Sequence, residues 1–203
     1  MEQRITFTSG DVTLEGMLEN PGAKKGVVIT HPHPLYGGDM DNPVVMVITE
    51  CYRNAGYATL RFNFRGAGGS QGQYEEGTGE TSDLLAAIAR LKSEGVEEVV
   101  CSGYSFGTWI CFTASLSHPV ETDVMVAPPV TFVEFDQRAC ERGPKLVISG
   151  TNDSFAHFET LEGLVPLWNE KAKVHAIESA DHFFSIHLSE VGKAIDAHLA
   201  AQG

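Results

Sequence analysis

The sequence predicts an α/β protein: a three-layer α/β/α sandwich whose mostly parallel sheet begins in an antiparallel hairpin. Three observations carry this. The amino end alternates polar and apolar residues, turns through Gly10-Asp11 and resumes the alternation, the pattern of a hairpin with one buried face. The hydrophobic signal then changes to short continuous apolar runs, which mark strands buried on both faces. Stretches of helical spacing separate those runs, and strands alternating with helices assemble as a parallel sheet covered on both sides.

The elements follow in order. Arg4 to Thr8 places Ile5 and Phe7 on one face, and Val12, Leu14 and Leu18 continue that face on the return strand. Gly26 to Thr30 is an apolar run and reads as the third strand. Asp41 or Asn42 offers an N-cap, Pro43 suits the first helical position, and Val44, Ile48, Cys51 and Ala55 recur at helical spacing before Gly56. Tyr57 to Phe64 reads as a strand, and Ser82 to Ser93 as a helix with a stripe of Leu85, Ile88 and Leu91. Glu97 to Ser102 is a strand, Phe106 to Ser117 a helix that Pro119 stops, and Asp123 to Ala127 a strand. Lys145 to Ser149 follows as a strand and Phe155 to Trp168 as a helix despite Pro166. Lys173 to Ile177 is the last strand and Ser185 to Ala201 the last helix. In such a sheet the ligand site is expected beyond the carboxyl ends of the strands.

With 203 residues and no Pro/Ser linker, charge block or repeat, the chain reads as one domain over residues 1–203. Fourteen Lys plus Arg against 27 Asp plus Glu give a net charge of -13. So acidic a chain has few cations with which to neutralise phosphates or approach an anionic bilayer, so neither nucleic acid nor membrane is the expected partner. Met1 to Asp11 lacks the apolar stretch of a signal peptide, and the four cysteines, Cys51, Cys101, Cys111 and Cys140, form no C-x-x-C pair. These readings lead to the expectation of reduced thiols and a cytoplasmic location.

The most specific motif is Gly103-Tyr104-Ser105-Phe106-Gly107, a G-x-S-x-G string lying between an expected strand and an expected helix. A chain reversing from strand to helix in so few residues leaves no room for Cβ atoms at the two glycines. It lifts the Ser105 hydroxyl above the sheet and leaves the Phe106 N–H at a helix start, free to bind a developing oxyanion. A serine hydroxyl is a weak nucleophile until an imidazole takes its proton and a carboxylate orients that imidazole. Asp153 follows the Lys145 to Ser149 strand, and His182 lies between the last strand and the last helix. The order Ser105, Asp153, His182 is the one this motif predicts. Asp123 competes for the acid role, but it opens its strand and so falls at the wrong end of the sheet. Asp181 reads as a loop residue, His157 as a rim group and His187 as part of the last helix.

On these residues the chain resembles the α/β-hydrolase superfamily, and within it the small lidless bacterial serine hydrolases similar to dienelactone hydrolases. The resemblance also rests on His31-Pro32-His33-Pro34-Leu35-Tyr36-Gly37-Gly38, on Arg61 to Ser70 and on Asp181-His182-Phe183-Phe184, and covers the chain from about Ile5 to Leu199. It implies Ser105 as nucleophile, Asp153 as acid, His182 as base and a second oxyanion N–H from the loop after the third strand. Pro32 and Pro34 have no N–H, which leaves His33 first and Leu35 second. In the superfamily a lid usually enters after the sixth strand; Pro128 to Pro144 is too short for one, so an open site is expected.

Leu35, Tyr36 and Phe183 are the expected substrate contacts, and Phe106, Trp109, Phe155 and Phe184 add to an aromatic cluster near the strand ends. Gly66 to Gly79 reads as a glycine-rich loop, made acidic by Glu75, Glu76 and Glu80, whose charges suit a solvated face or select against anionic substrates. The resulting expectation is hydrolysis of small carboxylic esters or thioesters through an acyl-enzyme, with a small-molecule ester as partner, no cofactor and no metal. A homodimer is the assembly to test. Two readings compete: a metal-dependent phosphoesterase using the His31 and His33 pair, and a non-catalytic binding protein on the same scaffold.

Overall fold

The computed structural model describes residues 1–137 and 140–202. Its eight-stranded sheet has the order β1-β2-β4-β3-β5-β6-β7-β8. The strands are β1 (Gln3–Ser9), β2 (Val12–Glu19), β3 (Lys25–Thr30), β4 (Ala58–Phe62), β5 (Glu98–Tyr104), β6 (Glu121–Val126), β7 (Leu146–Gly150) and β8 (Lys173–Ile177). The helices are α1 (Pro43–Asn54), α2 (Thr78–Ser93), α3 (Phe106–Ser117), α4 (Phe158–Trp168) and α5 (Leu188–Ala200). β1 pairs antiparallel with β2, and β2 antiparallel with β4; every later pairing is parallel. The three-layer fold class read from the sequence is the fold observed.

The alternation of side chains along each strand divides the core into two layers. Val27 and Ile29 of β3 pack with Val44, Ile48 and Tyr52 of α1 and with Val191 and Ile195 of α5. Val28, between them, faces Leu84, Ile88 and Leu91 of α2 and Ile110 and Ala114 of α3. A fully buried residue at this seam, such as Leu60, would cost about 2–5 kcal/mol on truncation to Ala. Of the expected α2 stripe, Ile88 and Leu91 are buried, while Leu84 takes the place of Leu85, which is only partly buried.

Several boundaries differ from the sequence reading by two or more residues, and in four of them a side chain has taken a backbone hydrogen bond. β4 stops at Phe62 because the Phe64 N–H donates to His31 Nε2 at 3.0 Å instead of to a neighbouring strand. α2 begins one turn early, at Thr78, since the Glu80 carboxylate accepts the N–H groups of Glu75 and Gly77. Glu80 is therefore a buried cap and no part of an acidic loop. α4 begins at Phe158 rather than Phe155, because Asp153 Oδ1 holds the Phe155 and Ala156 N–H groups in a turn. α5 begins at Leu188 rather than Ser185, where Asp181 Oδ1 accepts from Phe183 and Phe184. His187 is thus the N-cap position of α5 and not inside it. β6 opens two residues early, which makes Asp123 its third residue.

Of the two N-cap candidates for α1, Asn42 fills the role: its Oδ1 accepts the Val44 N–H at 2.9 Å. Asp41 instead pairs with the Arg61 guanidinium. No helix among the described residues is long and apolar enough to cross a membrane.

Candidate active site

The turn between β5 and α3 is built around Ser105, whose φ of 51° and ψ of -124° are strained for a residue with a side chain. A Cβ on Gly103 would lie 2.3 Å from Thr30 Oγ1, and one on Gly107 would lie 2.7 Å from the Thr30 carbonyl oxygen. Both glycines are thus required by the close approach of β3. Thr30 Oγ1 holds the turn from below, donating to the carbonyls of Ser102 and Gly107. The strain at Ser105 is locked in on its other side by its N–H, which donates to the Val126 carbonyl at 2.9 Å.

Three side chains from separate strand ends meet above this turn. Ser105 Oγ lies 2.9 Å from His182 Nε2, and His182 Nδ1 lies 2.8 Å from Asp153 Oδ2. A carboxylate only accepts, so Nδ1 carries the proton toward Asp153, and Nε2 is left to accept from the Ser105 hydroxyl. Asp153 is fixed in turn by the two N–H groups on its Oδ1, each at 2.8 Å, and Tyr104 OH donates to the His182 carbonyl at 2.9 Å. All three residues are buried. The same contacts that moved the start of α4 therefore orient the Asp153 carboxylate.

The loop after β3 crosses the front of the site. His33 presents its ring nitrogen Nδ1 to the Leu35 N–H at 3.2 Å, and the His33 carbonyl accepts from Tyr36 and Gly38. Gly38 has no space for a Cβ, which would lie 2.1 Å from the Pro32 carbonyl oxygen. His31, fully buried, donates from Nδ1 to the Pro32 carbonyl at 2.6 Å and accepts from Phe64 at Nε2. Burial pushes its pKa down to about 4, against the bond to Pro32, so the ring is neutral. With both nitrogens engaged, His31 has no lone pair for a metal. His33 is also held below the usual histidine range by burial.

A cavity of about 390 Å³ opens at Ser105 and His182. Tyr36 and Phe183, expected as substrate contacts, line it, and so do Phe106 and His33. Leu35 does not: it is 66% exposed and outside the cavity wall, because its backbone is turned by the His33 ring. Of the wider aromatic set, Phe155 lines the cavity, but Trp109 packs against Phe106 and Phe184 is buried beside Tyr104.

Sequence reasoning missed Pro129 and Phe132, which come from the connection after β6 and form one wall. That connection is too short for a lid, yet it supplies a wall; Pro128-Pro129 followed by an isolated Phe was the available signal. Asp123, in the amino-terminal half of β6, lies on the side of the sheet away from the cavity.

With this geometry in view, the chain can be set beside known proteins. It is 33% identical over 210 residues to an uncharacterized protein of Rickettsia prowazekii, a match covering 97% of this chain and 88% of that one. It is 30% identical to an α/β serine hydrolase homologue from Coxiella burnetii, with a TM-score of 0.89 and 97% of each chain covered. It shares the fold of a lidless serine hydrolase from Xanthomonas campestris, with a TM-score of 0.90, 22% identity and coverage of 99% of this chain and 94% of that one. No family model matches the chain.

Proposed function

The chain belongs to the α/β serine hydrolase family, and we propose that it cleaves small carboxylic esters or thioesters through an acyl-enzyme formed on Ser105. The observation that carries the proposal is the 2.9 Å contact between Ser105 Oγ and a His182 imidazole whose other nitrogen is held by Asp153. In this reading His182 Nε2 takes the hydroxyl proton as Oγ bonds to the carbonyl carbon. The oxyanion is held by the N–H groups of Phe106 and His33. Between His33 and Leu35 as second donor, the reading favours His33, since the Leu35 N–H is engaged by the His33 ring.

His182 then passes its proton to the leaving alcohol or thiol as the bond from carbon to the leaving atom breaks. Water attacks the acyl-enzyme with His182 again as base, which releases the acid and restores the Ser105 hydroxyl. Asp153 holds the imidazole in the required tautomer and stabilises the imidazolium. Tyr36, Phe132, Phe155 and Phe183 receive the apolar part of the substrate.

Fluorophosphonate labelling of the wild type and of Ser105→Ala tests the reading. Labelling that depends on Ser105 is expected; folded wild-type protein that stays unlabelled would overturn it. A panel of aryl esters, thioesters and peptide amides then locates the substrate, with efficient amide cleavage as the result that contradicts ester preference. The phosphoesterase alternative is disfavoured by the engaged nitrogens of His31. It would require chelator-sensitive activity that survives Ser105→Ala.

A further inference from the structure

Two features of the mouth bear on which ester it takes: its ring of exposed aromatic side chains and the charge of the loops around it. Tyr36, Phe132, Phe155 and Phe183 are among the most exposed large apolar residues of the chain, and all four line the cavity. They form a nearly continuous chain around it. Tyr36 and Phe132 have ring centroids 5.9 Å apart at 72°, Phe132 and Phe155 are 6.5 Å apart at 75°, and His182 stands 4.9 Å from Phe155 and 5.7 Å from Phe183. Tyr36 and Phe132, and Phe132 and Phe155, meet edge to face, so a group at the rim meets one open ring face at a time, and within about 6 Å of that face the aromatic quadrupole attracts a cation.

The charges are sorted by the fold. All seven lysines lie away from the carboxyl ends of the parallel strands: Lys24 and Lys25 before and at the start of β3, Lys92 near the end of α2, Lys145 before β7, Lys171 and Lys173 before and at the start of β8, and Lys193 within α5. The loops at the carboxyl ends carry Asp39, Glu76, Glu134, Glu178 and Asp181, and among the described residues none of these is in an ion pair. The described arginines nearest this end are committed. Arg65 is paired with Asp83 and Glu75, and Arg61 with Glu2 and Asp41. Histidines apart, the described residues of these loops therefore carry negative charge with no free cation, and none of the five carboxylates lines the cavity itself, so they act on it through the field. A low-dielectric cleft under such a field concentrates cations and repels anions.

From these two observations we infer that the substrate is an ester bearing an ammonium group, whose cationic head sits among Tyr36, Phe132, Phe155 and Phe183. An aryl ester would fill the rings but leave the field unused, and a carboxylated or phosphorylated ester would enter against it. The inference rests on the esterase reading above and deepens it.

The test compares kcat/KM for three acetates of similar shape on the full chain: the choline ester, its uncharged carbon isostere 3,3-dimethylbutyl acetate, and the anionic 2-sulfoethyl acetate. The choline ester is expected to exceed its isostere by roughly 5- to 30-fold, and the sulfonate to be the poorest. The ratio should shrink at high ionic strength, and again in Phe132→Leu/Phe155→Leu and in Glu134→Gln/Asp181→Asn. A choline ester no better than its isostere, a preference for the sulfonate, or a ratio unmoved by all four substitutions would overturn the inference. Ser105-dependent fluorophosphonate labelling separates the two failures. A labelled enzyme with a flat ratio removes only the ammonium preference; an unlabelled protein that cleaves none of the three removes the esterase reading, and this one with it.

Discussion

The two ends of the sheet hold clusters of the same residue types put to different ends. At the carboxyl end Asp153 orients His182 toward Ser105. At the opposite end the buried Asp123 accepts from Tyr52, which also meets Ser102 at 2.8 Å, and pairs with His198 at 2.9 Å and Gln202 at 3.2 Å. Both clusters contain Ser, His and a buried Asp. In the second, Tyr52 stands between serine and acid, Ser102 is fully buried inside β5, and its Oγ accepts the Val124 N–H. Among the described residues no imidazole is hydrogen-bonded to Ser102. The comparison teaches that such a cluster is told apart by which atom faces which, and by a strained turn that sets the serine hydroxyl beside a cavity. Residue inventory alone would count two.

The largest effect that could break this comparison is on turnover. Ser105→Ala should lower kcat on the order of 10⁶-fold, and Asp153→Asn on the order of 10⁴-fold, with little loss of fold, measured by ester hydrolysis and thermal melting. Ser102→Ala should leave fluorophosphonate labelling intact. Asp123→Ala should do the reverse of Asp153→Asn: a loss of about 3–5 kcal/mol of stability in urea unfolding, because buried donors lose their acceptor, with kcat within a few-fold of wild type. A large activity loss in a folded Asp123→Ala protein would mean that the two ends are coupled.

Two effects of pH sharpen the contrast. Burial alone would raise the Asp123 pKa, but hydrogen bonds from His198 and Tyr52 outweigh it and hold the group below the usual carboxylate range. A carboxylate depressed in the folded state stabilises above its unfolded pKa, near 3.9, and that contribution is lost as pH falls through the lower folded value. His31 acts in a higher window. With a folded pKa of about 4 against an ordinary 6.5, it contributes fully above about pH 6.5, and the contribution, on the order of 3 kcal/mol, is lost as pH falls to about 4. Urea unfolding followed between pH 7 and pH 4 should show this slope, and His31→Gln should flatten it. The smallest effect belongs to Leu35→Ala, which should change stability by less than about 0.5 kcal/mol, since the side chain is exposed and outside the cavity.

Much of the fold was legible because hydrophobic runs and helical stripes report burial directly. The ends of β8 and α3 fall where the sequence places them. The boundaries that moved did so where one polar side chain captured a backbone N–H: His31 at Phe64, Glu80 at Gly77, and Asp153 at Ala156. The His31 contact joins residues 33 apart, which meet only on folding; the Glu80 and Asp153 contacts are local cap and turn patterns that hydrophobic spacing does not report. At the site, Ser105, Asp153 and His182 come together because each follows a strand, a position that can be read in one dimension. Phe132 could not be read so, since its wall depends on how the connection after β6 turns back, and Leu35, expected as a contact, is not among the residues lining the cavity.

Thr30 ends the strand that leads into the His33 loop, and it also braces the turn that carries Ser105. Ser105 and the loop in front of it are therefore one mechanical piece. The four rim aromatics, by contrast, hang on four separate loops, after β3, β6, β7 and β8. Apart from Tyr36, which rides on the braced loop, each can be exchanged without disturbing the turn. Divergence to a new substrate, by natural drift or by an engineer's library, can then proceed one loop at a time while the reacting atoms keep their places.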